Sequence, residues 1–191
     1  LMDRLIGDIL EAARAEDGAA ILAPRPVALA DWAADAIARI RLRVEQAGIV
    51  LDGTLSGDTD RLATLDPERL LQALGNLVDN AVTACGGRPD PHITLALVAG
   101  PDGWRLTVAD NGRGIPVADL AHVFDRFYRV DRHRGRGTGG AGLGLGIARA
   151  LVEAHGGHLV LDSVVDVGTT ATMAFPWAIP GAISGAGPTL S

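Results

Sequence analysis

The chain has 191 residues, a formal net charge of −6, 48% apolar residues and 21% charged residues. That composition excludes disorder throughout. The single cysteine, Cys85, excludes a disulfide framework or cysteine-rich metal site, and no apolar run approaches the roughly 18 residues of a membrane span.

Residues 1–17 carry an apolar stripe of Leu5, Ile9, Ala12 and Ala13 and predict a helix; its acids set it apart from a secretory signal. Residues 18–26, rich in Gly, Ala and Pro, read as a linker. A helix is predicted over Leu29–Ala47, ended by Gly48. Short strands follow at Ile49–Leu55 and Arg61–Leu65. Asp66-Pro67 starts a helix that runs to about Ala84. His92–Ala99 and Trp104–Ala109 alternate and are joined by Gly-Pro-Asp-Gly, which predicts an antiparallel hairpin. A short helix is expected over Val117–Val123. Arg129–Gly142 is polar and glycine-rich, a flexible loop. A helix over Leu143–His155 and a hairpin of Leu159–Asp162 with Thr169–Phe175 complete the ordered part, and 177–191 reads as a disordered tail. Helices mixed with antiparallel hairpins predict a two-layer α/β sandwich with a mixed, mostly antiparallel sheet and helices on one face.

All 17 basic residues are arginine. A G-x-x-x-x-G-K-S/T phosphate loop and any lysine Schiff base are therefore excluded. Net acidity argues against general nucleic-acid binding. Yet five arginines and one aspartate lie between Arg126 and Arg136, a local charge of +4.

Three stretches carry chemistry. On the helix from Pro67, the residues Arg69, Gln72, Asn76, Asn80 and Thr83 form a polar stripe opposite Leu70, Leu74, Leu77, Val78 and Ala81. A solvated face would serve as well, but asparagine weakens a helix, and a carboxamide oxygen can ligate Mg²⁺. The second is Asp110-Asn-Gly-Arg-Gly114, directly after an apolar strand; alone it is also a plain turn. The third runs from Gly139 to Gly146, with glycine at Gly139, Gly140, Gly142, Gly144 and Gly146, and opens a helix whose free N–H groups suit phosphate.

These stretches resemble the GHKL ATP-binding superfamily. Asn76–Ala81 (NLVDNA) is similar to its N box, Asp110–Gly114 to its first glycine box and Gly140–Gly146 (GAGLGLG) to its second. Val123–Asp131 (VFDRFYRVD) resembles the F box of bacterial two-component sensor histidine kinases, and Val152–Gly157 and Gly168–Thr170 match further stretches of that subfamily. The resemblance covers Leu1 to about Pro176 and implies a Bergerat-type fold with a flexible ATP lid.

It implies ATP and Mg²⁺ as cofactors, with Asn80 as the Mg²⁺ ligand and Asn76 a second candidate. Asp110 would accept from the adenine amine, Gly112 and Gly114 would shape that pocket, and Thr169 would help through water. Gly140, Gly142, Leu143, Gly144 and Gly146 would meet the phosphates. Phe124 and Phe127 would anchor the lid against the core, and Arg129 would reach the phosphate tail.

Residues 1–17 resemble the end of a dimerisation helix, which leaves 27–176 as the ATP-binding catalytic domain. The phosphoacceptor histidine is expected outside this chain, so no catalytic residue is assigned within it; His92, His122, His133, His155 and His158 sit in no phosphoacceptor motif. Implied partners are the protein's own dimerisation and phosphoacceptor domain and a response regulator, with no nucleic acid and no membrane contact by this stretch. A cytoplasmic location is implied, with the parent protein anchored in some members, and a monomer in isolation against a dimer at full length. Two departures stand out: Thr83 and Ala84 replace a customary lysine and aromatic, and Asp166 replaces a customary glycine. Alternatives of the same superfamily are a serine kinase or an ATPase; a non-catalytic nucleotide-binding regulatory module is the third.

Overall fold

A computed structural model describes residues 22–129 and 142–177. The helix expected over 1–17, residues 18–21 of the expected linker, the loop residues 130–141 with Arg132, Arg134, Arg136 and Gly140, and the tail beyond Trp177 lie outside the described residues.

Strand β1 (Arg25–Ala28) leads into helix α1 (Leu29–Gln46), followed by β2 (Val50–Gly57), β3 (Leu62–Leu65) and helix α2 (Pro67–Cys85). The hairpin β4 (His92–Ala99) and β5 (Gly103–Asp110) comes next, then the single-turn α3 (Val117–Leu120), α4 (Gly144–Ala154), β6 (His158–Val164) and β7 (Gly168–Pro176). Five strands form one sheet in the order β2-β4-β5-β7-β6. Only β2 and β4 run parallel; the other pairs are antiparallel. β1 and β3 form a separate antiparallel pair.

Register puts the apolar rows of the sheet on one face. Leu97, Leu106 and Met173 line up as direct neighbours, as do Leu95, Val108 and Ala171, and all six are buried. Alternate positions such as Thr94, Thr107 and Thr172 point the other way. Helices α1, α2 and α4 cover the apolar rows; Val44, Leu70, Leu74, Val78 and Val152 belong to the same core cluster. This is the expected α/β sandwich with its mixed, mostly antiparallel sheet. No helix among the described residues is long and apolar enough to cross a membrane.

Several boundaries differ from the sequence reading. Arg25 and Pro26, expected in a linker, belong to β1; proline is tolerated because it sits at the start of a two-stranded edge. The helix expected over Val117–Val123 ends at Leu120, because only one turn follows Pro116 before the chain breaks into turns. Trp177, expected in the tail, is docked. Its Nε1 donates to the carbonyls of Gly100 and Pro101, and Arg61 lies over its ring at 4.2 Å.

Candidate functional site

Helix α2 is the spine of the site. Asp66 caps it, its carboxylate accepting from the N–H groups of Glu68 and Arg69 at 3.2 and 3.1 Å, with Pro67 in the first turn. Its apolar face, from Leu70 to Cys85, is buried against β5 and α4. That leaves Gln72, Asn76, Asp79, Asn80 and Thr83 off the core.

Asn76 and Asn80 do not sit alike. Asn80 is exposed. Asn76 is half-buried, and its Nδ2 is shut away from solvent with no hydrogen-bond partner. Leaving a buried amide unpaired costs about 1–3 kcal/mol, so an acceptor brought beside this atom would be favoured. Across from it stands Gly144, the first residue of α4; a Cβ there would come within 3.8 Å of the Asn76 carboxamide. The first turn of α4 has no side-chain cap. Its N–H groups and the positive end of the helix dipole therefore favour an anion beside Asn76.

The opposite end of α2 meets the β5 terminus. Ala84 lies against Gly112, where a Cβ would fall 2.6 Å from the Ala84 carbonyl carbon. Asp110, the last residue of β5, pairs in register with Thr169, and both lie in the row that faces the helices. Its carboxylate accepts from the Gly112 N–H at 2.8 Å. Burial pushes the Asp110 carboxyl above its usual range, against the pull of the N–H groups of Gly112 and Thr169. Thr169 Oγ1 is 2.9 Å from Ser163 Oγ, which also accepts from the Ile115 N–H at 2.8 Å. Gly114 has φ +67°, and a Cβ there would sit 2.1 Å from the Val164 carbonyl oxygen. Only glycine lets the loop after Asp110 run this close to the end of β6.

Asn76, Asn80 and Ala84 follow each other at intervals of four along α2. The spine therefore runs about 12 Å from the start of α4 to the Asp110 loop. The structure thus brings Asn76 and Gly144 together at one end, and Asp110, Gly112, Gly114 and Thr169 at the other. Among the described residues no cluster of three or more His, Cys, Asp or Glu side chains is placed to hold a metal; a divalent cation here would rely on carboxamide oxygens and on phosphates of its ligand.

The flanks of residues 130–141 are joined. The Phe127 N–H donates to the Gly142 carbonyl at 3.0 Å, and Gly142, at φ +73°, would place a Cβ 2.8 Å from the Tyr128 carbonyl oxygen. Phe124 is half-buried, with the Arg149 guanidinium 5.3 Å from its ring centre, and its carbonyl lies over Gly146. Phe127 corrects an expectation. It was expected to anchor against the core, but its side chain is 65% exposed. A positive φ of 61° turns it outward, so Phe124 alone packs inward. Leu143 is buried in the core cluster, not free for a ligand side-on. Arg129 is exposed at the last described position before the undescribed segment.

Sequence reasoning passed over three supports. Asn111 Oδ1 accepts the His92 N–H at 2.8 Å and its Nδ2 donates to Asp90, pinning the loop after β5 to the start of β4. Arg88 donates to the carbonyls of Asn111 and Asp166 at 3.2 and 2.5 Å. Asp166 has φ +62°, which explains why a glycine suits that position and what Arg88 steadies there. Ser163 is the third. None of them belongs to a periodic pattern; only the Asn111 position inside the Asp-Asn-Gly run offered a signal.

Residues 65–179 match the model of the histidine kinase-, DNA gyrase B- and HSP90-like ATPase family. Over 124 residues, 63% of this chain and 20% of the relative, the sequence is 36% identical to the sensor histidine kinase WalK of Bacillus subtilis. It is also 36% identical to the circadian input-output histidine kinase CikA of Synechococcus elongatus over 176 residues, 90% of this chain and 23% of that protein. The chain thus spans about a quarter or less of these curated relatives. The structure resembles that of full-length ShkA in complex with AMPPNP with a TM-score of 0.77 and 27% identity, over 94% of this chain and 36% of that one.

Proposed function

The chain belongs to the histidine kinase-, DNA gyrase B- and HSP90-like ATPase family, and from that premise we propose that it is the nucleotide-binding part of a two-component sensor kinase. It binds ATP with Mg²⁺ and presents the γ-phosphoryl group to a histidine on a dimerisation domain. A response regulator is the onward acceptor.

One observation carries this reading: the half-buried Asn76 carboxamide, its Nδ2 unpaired, beside the uncapped first turn of α4. An apolar or cationic ligand would leave that amide and those N–H groups unsatisfied, whereas a phosphate answers both. The half-buried Asp110 carboxylate at the far end of α2 suits an amine donor on a purine. Asn80, with Asn76 Oδ1, would hold Mg²⁺, whose hard charge prefers oxygen and would neutralise phosphate. Thr169, Gly112 and Gly114 would shape the base pocket, and Gly142 and Gly144 the phosphate cradle. Leu143 supports that turn from beneath, and Arg129, Gly140 and Gly146 flank it in the sequence.

Phosphoryl transfer needs mainly positioning and charge neutralisation. In this reading the chain's residues orient the nucleotide, and the nucleophile comes from elsewhere. The experiment is calorimetric titration of ATP with Mg²⁺ into the wild type and into Asn80→Ala and Asp110→Ala. Binding that is lost in both variants supports the reading; undiminished binding in both overturns it. Acid-labile label transferred from ATP to a supplied dimerisation domain would separate a histidine kinase from a serine kinase, an ATPase or a regulatory module without catalysis.

A further inference from the structure

We infer that Arg43, on α1, supplies the cation for the terminal phosphate of a bound triphosphate; this rests on the nucleotide reading above. From Gln72 to Cys85 the helix α2 carries no basic residue. Thr83 has its hydroxyl donating to the Asp79 carbonyl at 2.8 Å. A triphosphate lying along that stretch would therefore find carboxamides and N–H groups, but no basic side chain of α2 itself.

The neighbouring helix provides one. A hollow of about 530 Å³ lies between α1 and α2, lined among others by Arg39, Arg43, Gln72, Gly75, Asn76 and Asp79. Asn76 thus borders both this hollow and the first turn of α4. Gly75 makes room. Glycine inside a helix costs about 1 kcal/mol relative to alanine, and here the Arg43 guanidinium lies across the bare backbone, 3.6 Å from where a Cβ would be. Arg43 also pairs with Asp79 at 3.2 Å, about half of its side chain exposed. Such a pair contributes little by itself, so Arg43 can turn toward a more highly charged partner.

Position along the helix selects the phosphate. The base end of the site is marked by Ala84 against Gly112. Gly75 is nine residues back, about 14 Å along the axis. That is the far end of an extended nucleotide, so Arg43 meets the terminal phosphate and leaves the first untouched. A second arginine on α1 provides a control. Arg41 donates to the Leu51 carbonyl at 3.0 Å and pairs with Glu45, away from the hollow.

The test is calorimetry with ATP and with ADP, both with Mg²⁺, on the wild type and on Arg43→Gln, Arg43→Glu and Arg41→Gln, each checked for a native melting transition. Arg43→Gln should weaken ATP about tenfold and ADP less than twofold, the size of one charge-assisted hydrogen bond. Arg43→Glu should widen that gap, and Arg41→Gln should leave it as in the wild type. If Arg43→Gln weakens ATP and ADP by the same factor, or neither, or if Arg41→Gln reproduces the gap, Arg43 has no such role. If the wild type binds neither nucleotide, the failure lies with the nucleotide reading itself.

Discussion

His155 Nε2 accepts the backbone N–H of Asp66 at 3.1 Å, across 89 residues of sequence. The other ring nitrogen, Nδ1, lies 2.7 Å from the Leu151 carbonyl and donates to it. His155 caps the end of α4 while Asp66 caps the start of α2. One contact therefore sets the two helices that frame the site against each other. His155→Phe keeps the ring's bulk beside Phe175 but leaves the Asp66 N–H buried and unpaired. Urea unfolding should show a loss of about 1–3 kcal/mol. A variant as stable as the wild type would show that the contact holds nothing.

The Asp66 carboxylate predicts an acid limit. Burial raises its pKa, but the N–H groups of Ala23, Arg69 and Glu68 outweigh that and hold it below the usual range. A depressed carboxyl stabilises the fold above its unfolded value of about 3.9, and this contribution is lost as pH falls through the lower folded value. Asp66→Asn keeps a capping oxygen without the titration. Its unfolding free energy should change less than that of the wild type below about pH 4; parallel curves would contradict the assignment.

Asp110 has the opposite sign. Its folded pKa is raised, chiefly by burial, so its charge weighs against the empty protein at neutral pH. Asp110→Asn should melt above the wild type at pH 7. The gap should close as pH falls through the raised value, because the wild-type carboxyl then takes up its proton. Nucleotide binding by the wild type should fade over the same interval, at a higher pH than an ordinary aspartate would give, and a calorimetric series across acid pH reads it directly.

The periodic elements were legible because their signals were strong. Asp66-Pro67 and the stripe from Leu70 to Ala81 announced α2, and the alternation of β4 and β5 gave their buried rows. β1 was hidden because Pro26 reads as a breaker until a partner strand is known, and Trp177 because its partners, Gly100 and Pro101, lie more than 70 residues away. In the site, Asn76 and Asn80 were visible as costly residues on a polar stripe. Which of them has its amide buried depends on the approach of Gly144, a long-range contact with no local trace. Arg88 and Ser163 were missed for the same reason, since their partners are carbonyls and loops remote in sequence.

Gly114 should tolerate no side chain. Alanine there would meet the Val164 carbonyl oxygen at 2.1 Å and would also have to hold φ +67°. The loop would be driven off β6, carrying Gly112 and its bond to Asp110 with it. Gly114→Ala should lose at least 2 kcal/mol, roughly the sum of left-handed strain and overpacking, and nucleotide affinity with it. Gly75→Ala makes the contrasting case, since its Cβ meets only the end of Arg43 at 3.6 Å. It should gain about 1 kcal/mol in thermal or urea unfolding.

Phe127 separates folding from transfer. Its ring is 65% exposed, and its backbone sits at φ +61°, where a side chain costs energy. Phe127→Ala should leave unfolding free energy within about 0.5 kcal/mol of the wild type, and Phe127→Gly should raise it by about 1 kcal/mol by removing the left-handed strain. The bond from its N–H to the Gly142 carbonyl survives both changes, so ATP affinity should hold within twofold. An exposed aromatic kept at that expense is explained if it meets a surface outside this chain. Transfer of labelled phosphate to a supplied dimerisation domain should then fall tenfold or more in Phe127→Ala while calorimetric ATP binding stays constant. Equal loss of binding and transfer would place the ring in the nucleotide pocket instead, and loss of stability would return it to the core.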